Sequence, residues 1–119
     1  MSKKPYDLSL LEELEDRQQL HEIVDMFLTN TPLQLKELLA AAQKQDWEKV
    51  HGDAHKLKGS AGILLADGLV ELLKQVEGQT KSQKDPGIIN GLLQALLAAW
   101  SEIEILLKEE QKKLRGERL

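Results

Sequence analysis

The fold of this chain is decided by residues 47–65, which read WEKVHGDAHKLKGSAGILL. At about 100° per residue, an α-helix through this stretch collects its apolar side chains on one continuous arc. This arc predicts a buried face that consists of Trp47, Val50, Ala54, Leu57, Ala61, Leu64 and Leu65. The opposite face carries a histidine, a lysine and three glycines, which are His55, Lys58, Gly52, Gly59 and Gly62. The solvent side of this helix is therefore the part of the chain that needs an explanation.

Three glycines in one helix are costly, because each destabilises a helix interior by about 0.5–1 kcal/mol relative to alanine. Close packing between helices would explain them if they lay on the apolar arc, but they lie on the other side. We therefore expect Gly59 and Gly62 to leave the ring of His55 open to a partner that approaches the backbone.

The chemistry of the exposed residues fits a carrier of phosphoryl groups. A neutral imidazole nitrogen is a nucleophile, and histidine is commonly neutral near pH 7. Lys58 follows His55 by one turn and is placed to balance the charge of a phosphoryl group. Phosphoryl transfer depends on positioning and charge neutralisation, so a small carrier suffices if its partner supplies the metal ion.

Helical spacing also recurs on both sides of this stretch, whereas the alternation typical of strands does not. Asp46 is expected to cap the third helix, Gly78 to end the fourth and Pro86 to open the last, while Pro32 should kink the second. The predicted helices are Asp7–Leu14, Asp16 to about Gln45, Trp47 to about Leu64, about Ala66 to Glu77, and a long helix from Pro86, after a loop over Gln79–Gly87.

Amphipathic helices joined by short connections predict an all-α fold, an antiparallel four-helix bundle with a short extra N-terminal helix. We expect a single domain over residues 1–119, with its core at about 7–110 and a frayed end over Lys112–Leu119. Besides the arc above, the residues predicted to face inward include Leu8, Leu11, Leu14, Leu69, Leu72, Leu73, Val76, Ile88, Ile89, Leu92, Leu96, Trp100, Ile103, Leu106 and Leu107.

Composition limits the classes of function. The chain has no cysteine, so it has neither disulfides nor a thiolate metal site. The net charge is −4, and the basic residues are mixed with acidic ones, which argues against nucleic acid as a partner. No signal peptide is expected, and the apolar stretches are expected to be too short to span a membrane. We therefore expect a cytoplasmic monomer.

Residues 54–62, AHKLKGSAG, closely resemble the A-H-x-L-K-G-S-x-G motif of histidine phosphotransfer (HPt) domains. Downstream, Leu69, Leu72 and Val76-Glu77 are similar to the family's L-x-x-L-x-x-x-[LV]-E pattern. Upstream, Phe27, Pro32, Leu35 and Leu38 are similar to its F-x-x-x-x-P-x-x-L-x-x-L stretch. The resemblance extends over about residues 7–110.

The resemblance implies a four-helix bundle in a two-component phosphorelay, with His55 as the phosphoacceptor and Lys58 as the cation on the phosphate side. It implies that Gly59 lets the partner approach and that Glu77 hydrogen-bonds the histidine. The expected partners are response-regulator receiver domains and a hybrid sensor histidine kinase. The chain would need no cofactor of its own, because Mg²⁺ comes from the receiver.

Three other functions compete with this prediction. His51 and His55 have the i, i+4 spacing of a zinc-binding pair, but two ligands make a weak site. A helical module that only docks a receiver domain, without phosphorylation, is the main alternative. A histidine kinase is disfavoured, because no glycine-rich nucleotide loop follows His55 and about 60 residues are too few for an ATP-binding domain.

Overall fold

The structure, a computed structural model, describes residues 4–14, 16–82 and 84–116. Within these ranges the chain forms five α-helices. They are α1 (Ser9–Leu14), α2 (Arg17–Gln43), α3 (Trp47–Ile63), α4 (Asp67–Lys81) and α5 (Pro86–Gly116). The predicted all-α fold is therefore confirmed.

The four long helices form a closed bundle. Each of α2, α3 and α4 packs against the helix that follows it, and α5 packs back against α2. The connections between them span only residues 44–46, 64–66 and 82–85, so consecutive helices run antiparallel. Helix α1 packs on α2. The predicted domain limits, residues 1–119, reach beyond the described ranges and stay a prediction.

Side-chain caps fix where two of the helices begin. Asp16 forms a capping box at the start of α2: its carboxylate accepts from the backbone N–H of Gln19 at 2.9 Å, and the Gln19 side chain accepts from the backbone N–H of Asp16 at 3.2 Å. The Asp46 carboxylate accepts from the backbone N–H of Lys49 at 3.3 Å, so the predicted cap of α3 is confirmed. Helix α2 runs through Pro32 without a break.

The apolar faces of the helices meet in one core. Val24, Leu38, Val50, Leu73 and Leu96 are fully buried at its centre. Trp100 is buried and Trp47 is half-buried, as expected for core residues. Burial of these side chains is the main contribution that holds the bundle together, at roughly 25 cal/mol per Å² of apolar surface.

Helix α5 is longer and more continuously apolar than the sequence analysis allowed. Among the described residues it is the one helix that could span a membrane by length and composition. Here its apolar stripe packs inside the bundle, where Ile89, Leu93 and Ile103 are buried against α2 and α4. The stripe thus serves as the core face of a bundle helix.

The prediction that Gly78 ends α4 is wrong. The helix continues to Lys81, and the predicted loop over Gln79–Gly87 shrinks to four residues. A glycine that ends a helix usually takes a positive φ, which Gly78 does not. The left-handed residue after α4 is instead Lys84, with φ 51°.

Three further predictions need correction. Leu65 is 37% exposed, because its φ of 53° takes it out of the helical phase of α3. Ile88 is 45% exposed, one position away from the buried stripe. The end of α5 is helical to Gly116, since Leu114 is buried and the Arg17 guanidinium donates to two of its carbonyls. Residues 117–119 and the side chain of Leu14 lie outside the described part.

Candidate functional site

The solvent face of α3 exposes the imidazole of His55. Its side chain is 67% exposed, whereas the neighbouring Ala54 and Leu57 are buried in the core. A Cβ atom built on Gly52, Gly59 or Gly62 would meet nothing within 4 Å. No packing contact in this structure therefore requires these glycines, and the surface around the ring is open.

Glu77 of α4 contacts the ring of His55. Its Oε2 lies 3.2 Å from Nδ1 of His55, and its Oε1 lies 2.7 Å from Nζ of Lys58. Its side chain is only 14% exposed. Because Oε2 accepts a hydrogen bond from Nδ1, the ring presents Nε2, which has no partner among the described residues. Residues 22 positions apart in the chain thus meet at one site.

The charges of the site keep Glu77 ionised. Burial by itself raises the pKa of the Glu77 carboxyl, but the hydrogen bonds from Lys58 and His55 and the positive charge of Lys58 outweigh it and lower the pKa below its ordinary value. An ionised carboxylate accepts hydrogen bonds only, which favours the proton on Nδ1 of His55.

The side chain of Lys58 is largely covered and forms an ion pair. Its side chain is 28% exposed and pairs with Glu77, so its charge is shared with that carboxylate. An ammonium group has three donors, and the pair with Glu77 uses one of them. Lys58 can therefore hold Glu77 and still offer an N–H to an oxygen near His55.

Two residues that the sequence analysis did not assign to the site adjoin it. Nδ1 of His51 lies 3.1 Å from the hydroxyl of Thr80, and its Nε2 lies 3.9 Å from Oε2 of Glu77. The sequence suggests a role for His51 only as a zinc ligand. Its i, i+4 spacing from His55 is the sequence signal that puts the two rings on one side of α3, whereas Thr80 lies in the segment that the sequence predicts to be a loop.

The described residues contain no group of three or more His, Asp or Glu side chains placed to hold a metal ion. His51 and His55 both turn a ring nitrogen toward Glu77, whose second oxygen is paired with Lys58. The cation facing this carboxylate is thus a lysine ammonium supplied by the chain itself.

The Hpt domain family model matches residues 22–115, which include α3, α4 and most of α2 and α5. This chain belongs to the Hpt domain family. Hpt domains are phosphocarriers rather than kinases, and they exchange phosphoryl groups with receiver domains in phosphorelays. No curated protein and no solved structure matches the chain. The Hpt match includes His55, Lys58 and Glu77, and it begins after α1.

Proposed function

We propose that this Hpt domain carries a phosphoryl group on His55, which it accepts reversibly from the aspartyl phosphate of one receiver domain and passes to another. One observation supports this most: an exposed imidazole is held at Nδ1 by a partly buried carboxylate, which leaves Nε2 open beside bare glycines. This is the arrangement that a nucleophilic ring nitrogen needs.

In the proposed reaction, Nε2 of His55 attacks the phosphorus of the aspartyl phosphate. A nitrogen–phosphorus bond forms while the bond between phosphorus and the aspartate oxygen breaks, and the aspartate leaves as a carboxylate. The proton on Nδ1 stays in place, and Glu77 balances the positive charge that the ring develops. Lys58 stabilises the phosphoryl oxygens, and the receiver contributes the Mg²⁺ that offsets the remaining charge.

The receiver's docking surface is proposed to lie on the exposed parts of α2 and α3. Met26 and Leu33 are each 59% exposed and lie two helical turns apart on α2, and Ile63 of α3 is 45% exposed. The hydrogen bond to Asp53 and, to a smaller extent, the charge of Glu37 raise the pKa of Lys49. Glu37 of α2 therefore lies near Lys49 of α3. Leu33 lies one turn before Glu37, so the side of α2 that carries both residues adjoins α3.

The docking surface is tested by truncating Leu33 and measuring transfer as a function of receiver concentration. Leu33→Ala should raise the receiver concentration needed for half-maximal transfer by roughly tenfold, since a buried interface anchor contributes more than about 1 kcal/mol. Ile105→Ala is the matched control, because Ile105 is 62% exposed on α5, which packs against α2 and α4. Equal effects of both variants would argue against this surface.

The proposed function is tested by transfer from a phosphorylated receiver domain to the wild-type chain and to His55→Gln. An acid-labile, base-stable label on the wild type alone is the expected result. His21→Gln is the matched control, since His21 lies on α2 next to Asp25, away from the glycine face, and should keep the label. Because the His55 side chain is 67% exposed, His55→Gln should remain folded, with a melting temperature close to that of the wild type.

Two outcomes would count against the proposal. If the folded wild-type chain takes up no label from several receivers, the docking-only module becomes the better account. If phosphohistidine forms with ATP and Mg²⁺ alone, the chain has a kinase activity of its own, and the proposed role as a pure carrier is wrong.

A further inference from the structure

His51 lies one turn before His55 on the same side of α3, but its surroundings differ. Its side chain is 28% exposed, against 67% for His55, and it is turned toward α4. There its Nδ1 lies 3.1 Å from Oγ1 of Thr80, a residue that is only 4% exposed. A polar pair in this half-buried position connects α3 to the helix that carries Glu77.

The hydrogen bonds of Thr80 determine which nitrogen of His51 carries the proton. The Thr80 hydroxyl lies 2.8 Å from the backbone carbonyl of Glu77, and because a carbonyl only accepts, the hydroxyl donates to it. A hydroxyl has a single proton, so Oγ1 must accept from His51, and Nδ1 of His51 is protonated. The neutral His51 ring then has no proton on Nε2, which faces Glu77 at 3.9 Å.

These bonds form a chain from His51 through Thr80 to the backbone of Glu77. We infer that His51 is a positioning residue for phosphoryl transfer: by donating to Thr80 it fixes the turn of α4 that carries Glu77, and thereby holds the Glu77 carboxylate on Nδ1 of His55. Because neutral His51 offers no proton at Nε2, it leaves Oε2 of Glu77 to His55. This inference rests on the proposed function of His55.

The test reads the position of the proton on the His55 ring by long-range ¹H–¹⁵N NMR. In the wild type, His55 should show a protonated Nδ1 and a bare Nε2. His51→Leu and Thr80→Val remove the donor and the hydroxyl at nearly constant size, so the His55 proton should redistribute between both nitrogens. His51→Asn keeps an amide donor near the place of Nδ1, and Thr80→Ser keeps the hydroxyl, so both should restore the wild-type signature.

The same four variants are then compared in phosphoryl transfer. Loss of the link should slow transfer on the order of tenfold, as with other groups that orient a functional histidine, and the two conservative variants should recover most of this loss. Thermal unfolding verifies that each variant is folded, and Thr80→Val tests the link independently if His51→Leu does not fold.

Each outcome bears on the inference. An unchanged His55 signature in both His51→Leu and Thr80→Val would overturn it, and so would loss of the signature in all four variants, since packing rather than the hydrogen bond would then be responsible. The NMR result does not depend on transfer. A wild-type chain that shows the expected signature but accepts no phosphate would refute the proposed function and leave the positioning of His55 established.

Discussion

At the scale of single residues, Glu77 is the centre of the site. Its carboxylate contacts Lys58 at 2.7 Å and His55 at 3.2 Å, and His51 lies 3.9 Å away. The sequence indicated that His55 is exposed, because the helical period puts it opposite the apolar arc. Only the family resemblance pointed to a role for Glu77. The helical period of α4 predicts which side of the helix Glu77 lies on, but it does not predict which side chains Glu77 contacts.

Glu77 makes the stability of the protein depend on pH. Its pKa is lowered in the folded state, so the folded state binds its proton less tightly than the unfolded one, and its contribution is present above the ordinary glutamate pKa of about 4.3 and lost as pH falls below it. Glu77→Gln should therefore unfold at a lower temperature than the wild type at pH 7, and the difference should shrink below about pH 4. Circular dichroism melts at pH 7 and pH 3 measure this. A difference of the same size at both pH values would contradict it.

Substitutions of Gly59 distinguish the space that receiver docking needs from the space that folding needs. Since a Cβ at this position meets nothing within 4 Å, Gly59→Ala should raise the free energy of unfolding by about 0.5–1 kcal/mol. Gly59→Leu should also fold, but it should slow transfer by about tenfold or more by obstructing the receiver. Gly91→Leu on α5 is the control, because that site is equally open. If Gly59→Leu transfers as fast as Gly91→Leu, the glycines have no role in access.

At the scale of helices, the starts were predicted better than the ends. Asp46 and Pro86 mark the starts of α3 and α5, because a capping side chain and a proline act on backbone groups next to them in the chain. The ends of α4 and α5 were missed by several residues. Burial of Thr80 and Leu114 against other helices stabilises turns whose local sequence is polar.

Because Gly78 lies inside α4, the predicted effect of Gly78→Ala on stability is opposite in sign to the effect expected at a helix end. A terminal glycine with positive φ would make Gly78→Ala destabilising by about 1 kcal/mol. In the structure Gly78 is helical and its Cβ site is open, so Gly78→Ala should stabilise by about 0.5–1 kcal/mol, as measured by urea unfolding. Gly87→Ala should gain less, because its Cβ would lie 3.3 Å from the carboxylate of Asp85. A loss of stability in Gly78→Ala would place the helix end at Gly78 after all.

At the scale of the whole molecule, the N-terminal segment, residues 6–11, closes one end of the bundle. Tyr6, Leu8 and Leu11 are buried, and the backbone N–H of Asp7 donates to the carbonyl of Leu64 at 2.8 Å. This segment precedes the region matched by the Hpt family model. Its buried side chains therefore add to the core of the bundle at the end of α3.

Tyr6 makes this closure measurable, because it is the only tyrosine of the chain. Burial, followed by the charges of Glu110 and Glu109, raises the pKa of Tyr6 to about 12. The folded state therefore holds the proton more tightly than the unfolded state, whose tyrosine titrates at about 10, and stability should fall as pH rises from 10 towards 12. Tyr6→Phe should lose less stability over this range, since it has no phenol to ionise.

The absorbance of tyrosinate in the folded wild type, followed as pH rises, reports the pKa of Tyr6 directly. Thermal melts of the wild type and of Tyr6→Phe at pH 8 and pH 11 report how stability changes with the ionisation of Tyr6. Titration of Tyr6 near pH 10 in the folded protein would show that the segment does not bury its phenol.

The sequence by itself determined the helical class, the buried faces of α3 and α4, the exposure of His55 and the openness around it. These properties follow from the helical period and from residue chemistry, which act over a few positions along the chain. Only the tertiary structure decided that Glu77, His51 and Thr80 assemble beside His55, and that α4 and α5 extend past their polar ends. Those features depend on the packing of helices that are distant in the chain. The hydrophobic period of one helix does not reveal which residues of a neighbouring helix pack against it.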